Sequence, residues 1–196
     1  NVFNYIDHNN SIKNKTDLDY IDELDTLLNN KVSDQMNSDV PIGSFLSGGI
    51  DSSLISSLMQ KNSLNKIETF SIGFDDSDYD EAKYAKKIAN FLGTNHNEYY
   101  LSSRKSLDII PNLSSIYSEP FADSSQIPTF LVCNVAKSKV KVVLGGDGGD
   151  ELFGGYNRYV LGRRMWSRIS HLPPNLRKIL SNLISSISPE KYNLFF

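Results

Sequence analysis

The feature that most constrains this chain is a repeated order along it: a short apolar run, a glycine-bearing turn, then a stretch with helical period. Ile42-Gly43-Ser44-Phe45-Leu46 runs straight into Ser47-Gly48-Gly49, and Ser53 to Met59 then carries an apolar helical stripe. Ile67 to Ile72 is a second strand, with a turn expected over Gly73 to Asp76. Asp78 and Glu81 have capping-box spacing ahead of a helix through Ala82, Ala85, Ile88 and Ala89, which Gly93 closes. His96 to Leu101 is a third strand. A helical stretch from about Ser106 to Tyr117 is interrupted near Pro111, and another helix begins near Pro128. Val140 to Leu144 is the last strand and meets Gly145-Gly146. Ahead of all this, Leu18, Ile21, Leu24, Leu27, Leu28 and Val32 predict a helix over 16–37, ended by Pro41. Strands alternating with helices imply an α/β fold: a parallel sheet with helices on both faces. The last 40 or so residues read as helix and loop, a helical C-terminal extension.

Composition sets the class. Of 196 residues, 39% are hydrophobic and 22% charged, with a net charge of −3. That suits an ordinary globular domain and offers no bulk attraction to nucleic acid. Cys133 is the single cysteine, so no internal disulfide is available and a reducing cytoplasm is expected. No apolar run reaches the length of a membrane span, and the start lacks the basic and apolar regions of a signal peptide. A start without Met and an apolar end, Leu194-Phe195-Phe196, point to a piece of a longer chain.

In sheets of this kind ligands bind beyond the carboxyl ends of the strands. Ser47-Gly48-Gly49-Ile50-Asp51-Ser52 stands there after the first strand. Glycines let the main chain approach an anion, two hydroxyls and the amides of a helix start can donate to it, and the helix dipole favours it. Asp51 is out of place beside phosphates unless a cation intervenes, which makes it a magnesium ligand candidate. No Gly-Lys-Ser/Thr closes the loop, so it is not a Walker loop, and the dinucleotide fingerprint fails for want of a third glycine. A serine-rich turn that merely caps a helix is the plainer alternative. After the last strand, Gly145 to Glu151 packs four glycines and three carboxylates into seven positions, again calling for a cation.

The S-G-G-x-D-S loop resembles the pyrophosphate loop of the N-type ATP pyrophosphatases, which include asparagine, GMP and NAD synthetases. The run Gly145-Gly146-Asp147-Gly148-Gly149-Asp150-Glu151-Leu152-Phe153-Gly154-Gly155-Tyr156 resembles the asparagine synthetase pattern S-G-D/E-G-x-D-E-x-F-G-G-Y. Ser38 to Gly43, Tyr79 to Ala82 and Glu119 to Ser124 extend the likeness along nearly the whole chain. The resemblance implies an adenine nucleotide alpha hydrolase-like fold with a synthetase domain over 1–160 and a truncated helical part over 161–196. It implies ATP and Mg2+ as cofactors, and aspartate activated as aspartyl-AMP and then attacked by ammonia. It implies that Ser47, Gly48, Gly49, Asp51 and Ser52 hold the pyrophosphate and its magnesium. Phe45 or Leu46, Ile72 and the Gly145-Gly146 main chain would flank the adenosine, Asp150 would be a second magnesium ligand, and Asp147 the catalytic acid/base. Ammonia would come from glutamine through a glutaminase domain elsewhere in the full-length chain; Asn1 stands where the family has a catalytic cysteine. Gly145 replaces the usual Ser, and the family's catalytic lysine is expected beyond residue 196. A homodimer is compatible with the family; nucleic-acid and membrane partners are not expected. A β-lactam synthetase-like cyclase and an inert nucleotide-binding module are the alternatives.

Other residues read more plainly. Cys133 is expected to be a buried small hydrophobe, and Trp166 to be packing. His8, His96 and His171 lack metal-ligand spacing. Asp75, Asp76, Asp78, Asp80 and Glu81 read as a solvated helix start, and Arg163, Arg164 and Arg168 as a solvated helix face. Asp123, Ser124 and Ser125 are balanced between capping the next helix and touching substrate.

Overall fold

The computed structural model describes residues 15–74, 81–119 and 123–186. They fall into two compact units, the first ending at Asp147 and the second starting at Gly148.

The first unit is built on four parallel strands: β1 (Ile42–Phe45), β2 (Glu68–Phe74), β3 (Asn95–Leu101) and β4 (Val142–Leu144), in the order β3-β2-β1-β4. The chain steps outward from β1 to β3, then returns to the far side of β1. Strand order therefore reverses between β1 and β4, and a crevice opens beyond their carboxyl ends.

Helices cover both faces, as a parallel sheet requires. Alternation along β1 sends Ser44 and Leu46 to one face and Phe45 to the other. On the first face lie α2 (Ile50–Asn62) and α3 (Ala82–Leu92), with α1 (Asp17–Met36) stacked on α2. Val32, Leu58, Met59 and Ile67 form one core cluster, and Leu46, Ala85 and Ala89 another. On the second face α6 (Gln126–Lys137) packs Ala136 on Phe70 and Val140. Fully burying a residue such as Met59 or Phe70 contributes about 2 kcal/mol. The buried Ser44–Ser56 hydroxyl pair, 2.9 Å apart, contributes about 1 kcal/mol net but fixes how α2 sits on β1.

Several expectations need correction. Gly73 is not in a turn: it pairs with Tyr100 in β2, where a Cβ would come 2.5 Å from the Tyr100 ring. α3 starts at Ala82 after Glu81, which makes no side-chain capping bond; Asp78 and the acidic run 75–80 lie outside the described residues. Gly93 does end α3 in the left-handed conformation, with φ 75°. The interrupted helix is α4 (Ser103–Ile109), a 3-10 turn over Ile110–Asn112 and α5 (Leu113–Ile116). Cys133 is exposed, because the inward stripe of α6 is Val132, Val135 and Ala136. Partial burial still raises its thiol pKa, which suits an inert cysteine.

The second unit holds α7 (Gly149–Phe153), α8 (Asn157–Ile169) and α9 (Pro174–Ser185). Trp166 is not packed: it is 61% exposed, with the Arg177 guanidinium over its ring. Arg163, Arg164, Arg168 and His171 are exposed. Among the described residues no helix is long and apolar enough to cross a membrane.

His96 is the satisfied histidine. Its ring nitrogens meet Thr69 Oγ1 at 2.9 Å and Ser71 Oγ at 3.2 Å. Burial pushes its pKa below the ordinary 6.5; Glu98 opposes this, and Lys86, ion-paired to Glu98, adds to it. A depressed folded value means the unfolded chain takes up the proton first. The stabilisation is therefore complete above pH 6.5 and is lost as pH falls from there through the folded value. Urea midpoints measured from about pH 7 to about pH 5 should fall more steeply for the wild type than for His96→Gln. Parallel slopes would show that His96 does not titrate differently on folding.

Candidate functional site

The β1–α2 loop is a compact hydroxyl-lined turn. Ser47 Oγ and Ser52 Oγ lie 2.9 Å apart, Ser52 Oγ accepts from Ser47 N, and Ser47 Oγ accepts from Gly49 N. Gly49 is the N-cap of α2 and brings no side chain to cover the first-turn amides. The amides and hydroxyls are thus gathered at the positive end of a 13-residue helix. Asp51 stands in that first turn.

Two glycines fix where this loop sits. Gly48 has φ +90°, and its α-carbon lies so close to α3 that a Cβ would meet Tyr84 Cβ at 2.8 Å and Ala85 N at 2.9 Å. Gly146, in the loop after β4, lies directly on the Asp51–Ser52 peptide: a Cβ there would meet Asp51 Cβ and Ser52 N at 2.7 Å. The two loops are therefore one packed object at the switch point. Gly145 differs. A Cβ there would meet only Asp147 Oδ2, at 3.5 Å, so the missing serine at this position is a chemical departure and not a steric one.

Beside the loops, on the α6 face, opens a cavity of about 400 Å3. Phe45, Phe70, Ile72, Phe74 and Val132 give it apolar walls, and Leu46, Ser47 and Asp147 border its loop end. Leu46 is buried against α3 with Ala85 and Ala89, so it can offer the cavity main chain and little side chain. β1 stops at Phe45 while β2 runs on to Phe74, so the β2 main chain after Phe70 borders the space β1 leaves. The structure thus gathers Phe45, Leu46, Ser47, Ile72 and Asp147 around one cavity, with Gly48, Gly49, Asp51, Ser52, Gly145 and Gly146 in the adjoining loops. Sequence reasoning did not single out Phe74 or Thr129, and read Glu81 as part of a solvated helix start; all three also line it. The continuation of β2 through Gly73 is the signal that would have pointed to Phe74.

Asp150 belongs to the second unit, in the first turn of α7. Its carboxylate leans over Gly155, where a Cβ would lie 2.0 Å from Oδ1. Tyr156 donates from its hydroxyl to Glu151, which lowers the Glu151 pKa, and the Arg158 guanidinium stacks on the Tyr156 ring. Asp123 accepts from Ser125 N at 2.8 Å, a bond that lowers its pKa; Ser125 is the N-cap of α6 and no side chain caps that helix start.

The chemistry of the donors suits magnesium. Asp51, Ser47 and Ser52 offer hard oxygen atoms, and among the described residues no group of three or more His, Cys, Asp or Glu forms a metal cage. An ion bound through one or two carboxylates plus substrate phosphates and water needs no such cage.

The chain is 46% identical over 164 residues to a protein of Methanocaldococcus jannaschii named as a glutamine-hydrolysing asparagine synthetase, covering 83% of this chain and 32% of that one. It is 38% identical over 172 residues to asparagine synthetase 1 of Bacillus subtilis, covering 87% and 26% respectively. The chain thus spans about a third or less of the length of these curated relatives. A solved NMN synthetase from Francisella tularensis shares 20% identity at a TM-score of 0.49, covering 70% of this chain and 59% of that one, a likeness too slight to carry an argument. The family model for asparagine synthase matches residues 23–194, and with it the loops that meet at the switch point, so this chain belongs to the asparagine synthase family.

Proposed function

We propose that this chain is the ATP-using part of an amide-forming ligase that converts aspartate to asparagine through aspartyl-AMP. One observation carries the reading: a Ser/Gly loop at a helix start, clamped by Gly146 at the sheet's switch point, beside an apolar cavity of nucleoside size.

Adenosine would occupy the cavity, flanked by Phe45, Ile72 and the main chain of Leu46, Gly145 and Gly146. The β- and γ-phosphates would lie on Ser47, Gly48, Gly49 and Ser52 at the α2 start. Asp51 would hold Mg2+, which when bound neutralises phosphate charge, and the family's sequence pattern assigns Asp150 as a second ligand. The aspartate side-chain carboxylate is a poor electrophile until an oxygen becomes a leaving group. That oxygen attacks the α-phosphorus, the α–β anhydride bond breaks, and pyrophosphate leaves. The ammonia lone pair then attacks the acyl carbon, the bond to AMP breaks, and the nitrogen gives up a proton. Asp147, at the loop end of the cavity, is the group assigned to that proton. Glutamine hydrolysis is assigned to a region outside this stretch of a longer protein, in keeping with the relatives' names.

The test uses the full-length protein. Labelled ATP should give AMP and pyrophosphate in an aspartate-dependent manner, and Asp51→Ala should weaken magnesium-dependent ATP binding about 10-fold or more. ADP as the aspartate-dependent product would sink the assignment. Unchanged affinity in Asp51→Ala would remove the magnesium role from that residue.

A further inference from the structure

The two edges of the sheet are built differently. β3 carries Asn95, His96, Asn97 and Glu98, and polar and charged side chains discourage further pairing at a free edge. β4, at the other edge, is Val142-Val143-Leu144 and has no polar side chain. Its inner side pairs with β1, and among the described residues no strand pairs with its outer side. Val142 is 41% exposed there. Apolar grooves flank this edge on both faces of the sheet. On the α6 face a groove of about 300 Å3 is lined by Phe45, Ala136, Val140 and Val143. On the α1 face a second, of about 440 Å3, is lined by Leu28, Val32 and Ile55 and reaches Val143 and Leu144. One further strand would fill both, since its successive side chains point to opposite faces. Lys137 and Lys141 also line the first groove. Among the described residues neither has a carboxylate partner, whereas Lys139 between them pairs with Glu68 at 3.5 Å.

We infer that the β4 edge docks one more strand: an extended segment of the longer protein, from outside residues 1–196, with apolar side chains on both faces and a carboxylate that meets Lys137 or Lys141. The edge main chain supplies the pairing and the two grooves supply the pockets, the division of labour of strand addition. The same protein is the source because this chain spans about a third or less of the relatives it matches, which leaves ample chain for the purpose. A second copy fits less well. Two β4 edges laid together would bring the lysines of one copy toward those of the other, and like charges facing each other across a strand pair are destabilising. The inference does not depend on the nucleotide reading of the first cavity.

The experiment uses the full-length protein and two readouts. Cys133 lines the first groove and is exposed when nothing fills it, so its alkylation by iodoacetamide, followed on its peptide by mass spectrometry, reports whether the groove is filled. The native protein should react about 100-fold more slowly than the same protein in urea. Lys141→Glu should speed the native reaction about 5-fold, and Lys141→Arg should leave it unchanged. Lys141 is exposed, and its main-chain bond to Pro41 O, at 2.9 Å, does not use the side chain, so both variants keep the fold, as circular dichroism will check. Zero-length carbodiimide crosslinking is the second readout. It should join Lys137 or Lys141 to an Asp or Glu outside residues 1–196 of the same chain, to the same extent on dilution. Without that crosslink the inference falls, whatever the alkylation rate. Rapid alkylation of native Cys133 overturns it as well, and leaves a bare edge guarded by its lysines. A crosslink between two differently isotope-labelled chains overturns it in favour of a second copy.

Discussion

Gly48→Ala is expected to destabilise the first unit by about 3 kcal/mol and to lower ATP affinity about 100-fold or more. Two effects add. A residue with a side chain held at φ +90° costs about 1–2 kcal/mol in backbone strain. The new methyl would also lie 2.8 Å from Tyr84 Cβ and 2.9 Å from Ala85 N, and a helix backbone cannot swing aside as a flexible side chain can, so overpacking adds about 1–3 kcal/mol. Relief comes only by moving the loop off α3, which carries Ser47 and the α2 amides away from the proposed phosphate position; a displacement of about 1 Å is enough for a 100-fold loss. Gly49→Ala is the matched control. Its Cβ would meet only Ser47 Oγ at 3.4 Å and its φ is −71°, so its cost should stay within about 1 kcal/mol. Urea denaturation and ATP titration of both variants check this. Equal behaviour of the two would mean that the loop is not held against α3.

Gly146→Ala should slow turnover of the full-length protein about 100-fold with a smaller loss of stability, about 1–3 kcal/mol. The added methyl would meet Asp51 Cβ and Ser52 N at 2.7 Å and Asp51 C at 2.8 Å. All three are fixed by the first turn of α2, so the strand-end loop must rise. Asp147 follows Gly146 directly and would rise with it, away from the position proposed for the reacting carbonyl, while the cavity on the β2 side stays formed. The expected signature is therefore a fall in kcat larger than the change in KM for ATP. Gly145→Ser is the control, because a Cβ there meets only Asp147, at ordinary contact distances of 3.5 Å and more. If Gly146→Ala and Gly145→Ser show the same kinetics, close seating of the two loops plays no part in positioning Asp147.

The alternation of strand and helix was legible because each element carries its own period and its own punctuation. Gly93 ends α3 for a reason local to its own backbone, and Pro111 interrupts the α4–α5 stretch in the same way. Gly73 was misread as a turn because its need for no side chain comes from Tyr100 on another strand, which no local pattern reveals. Cys133 and Trp166 were misplaced for a similar reason. Their types favour burial, but the face of α6 that packs is chosen by Phe70 and Val140, and Trp166 in α8 stands exposed under Arg177.

By itself the sequence determined the α/β class, the position of the Ser47–Ser52 loop between a strand and a helix, and the crowding of glycines and carboxylates after the last strand. These follow from local chemistry: apolar period, glycine freedom, and the types of donor available. Only the tertiary structure decided which loops meet. That β4 returns beside β1 rather than beyond β3 is a matter of long-range pairing, and it seats Gly146 on the Asp51–Ser52 peptide. It also sends Phe45 to the cavity and Leu46 beneath α3, since neighbours on a strand face opposite ways and only packed helices say which way is which.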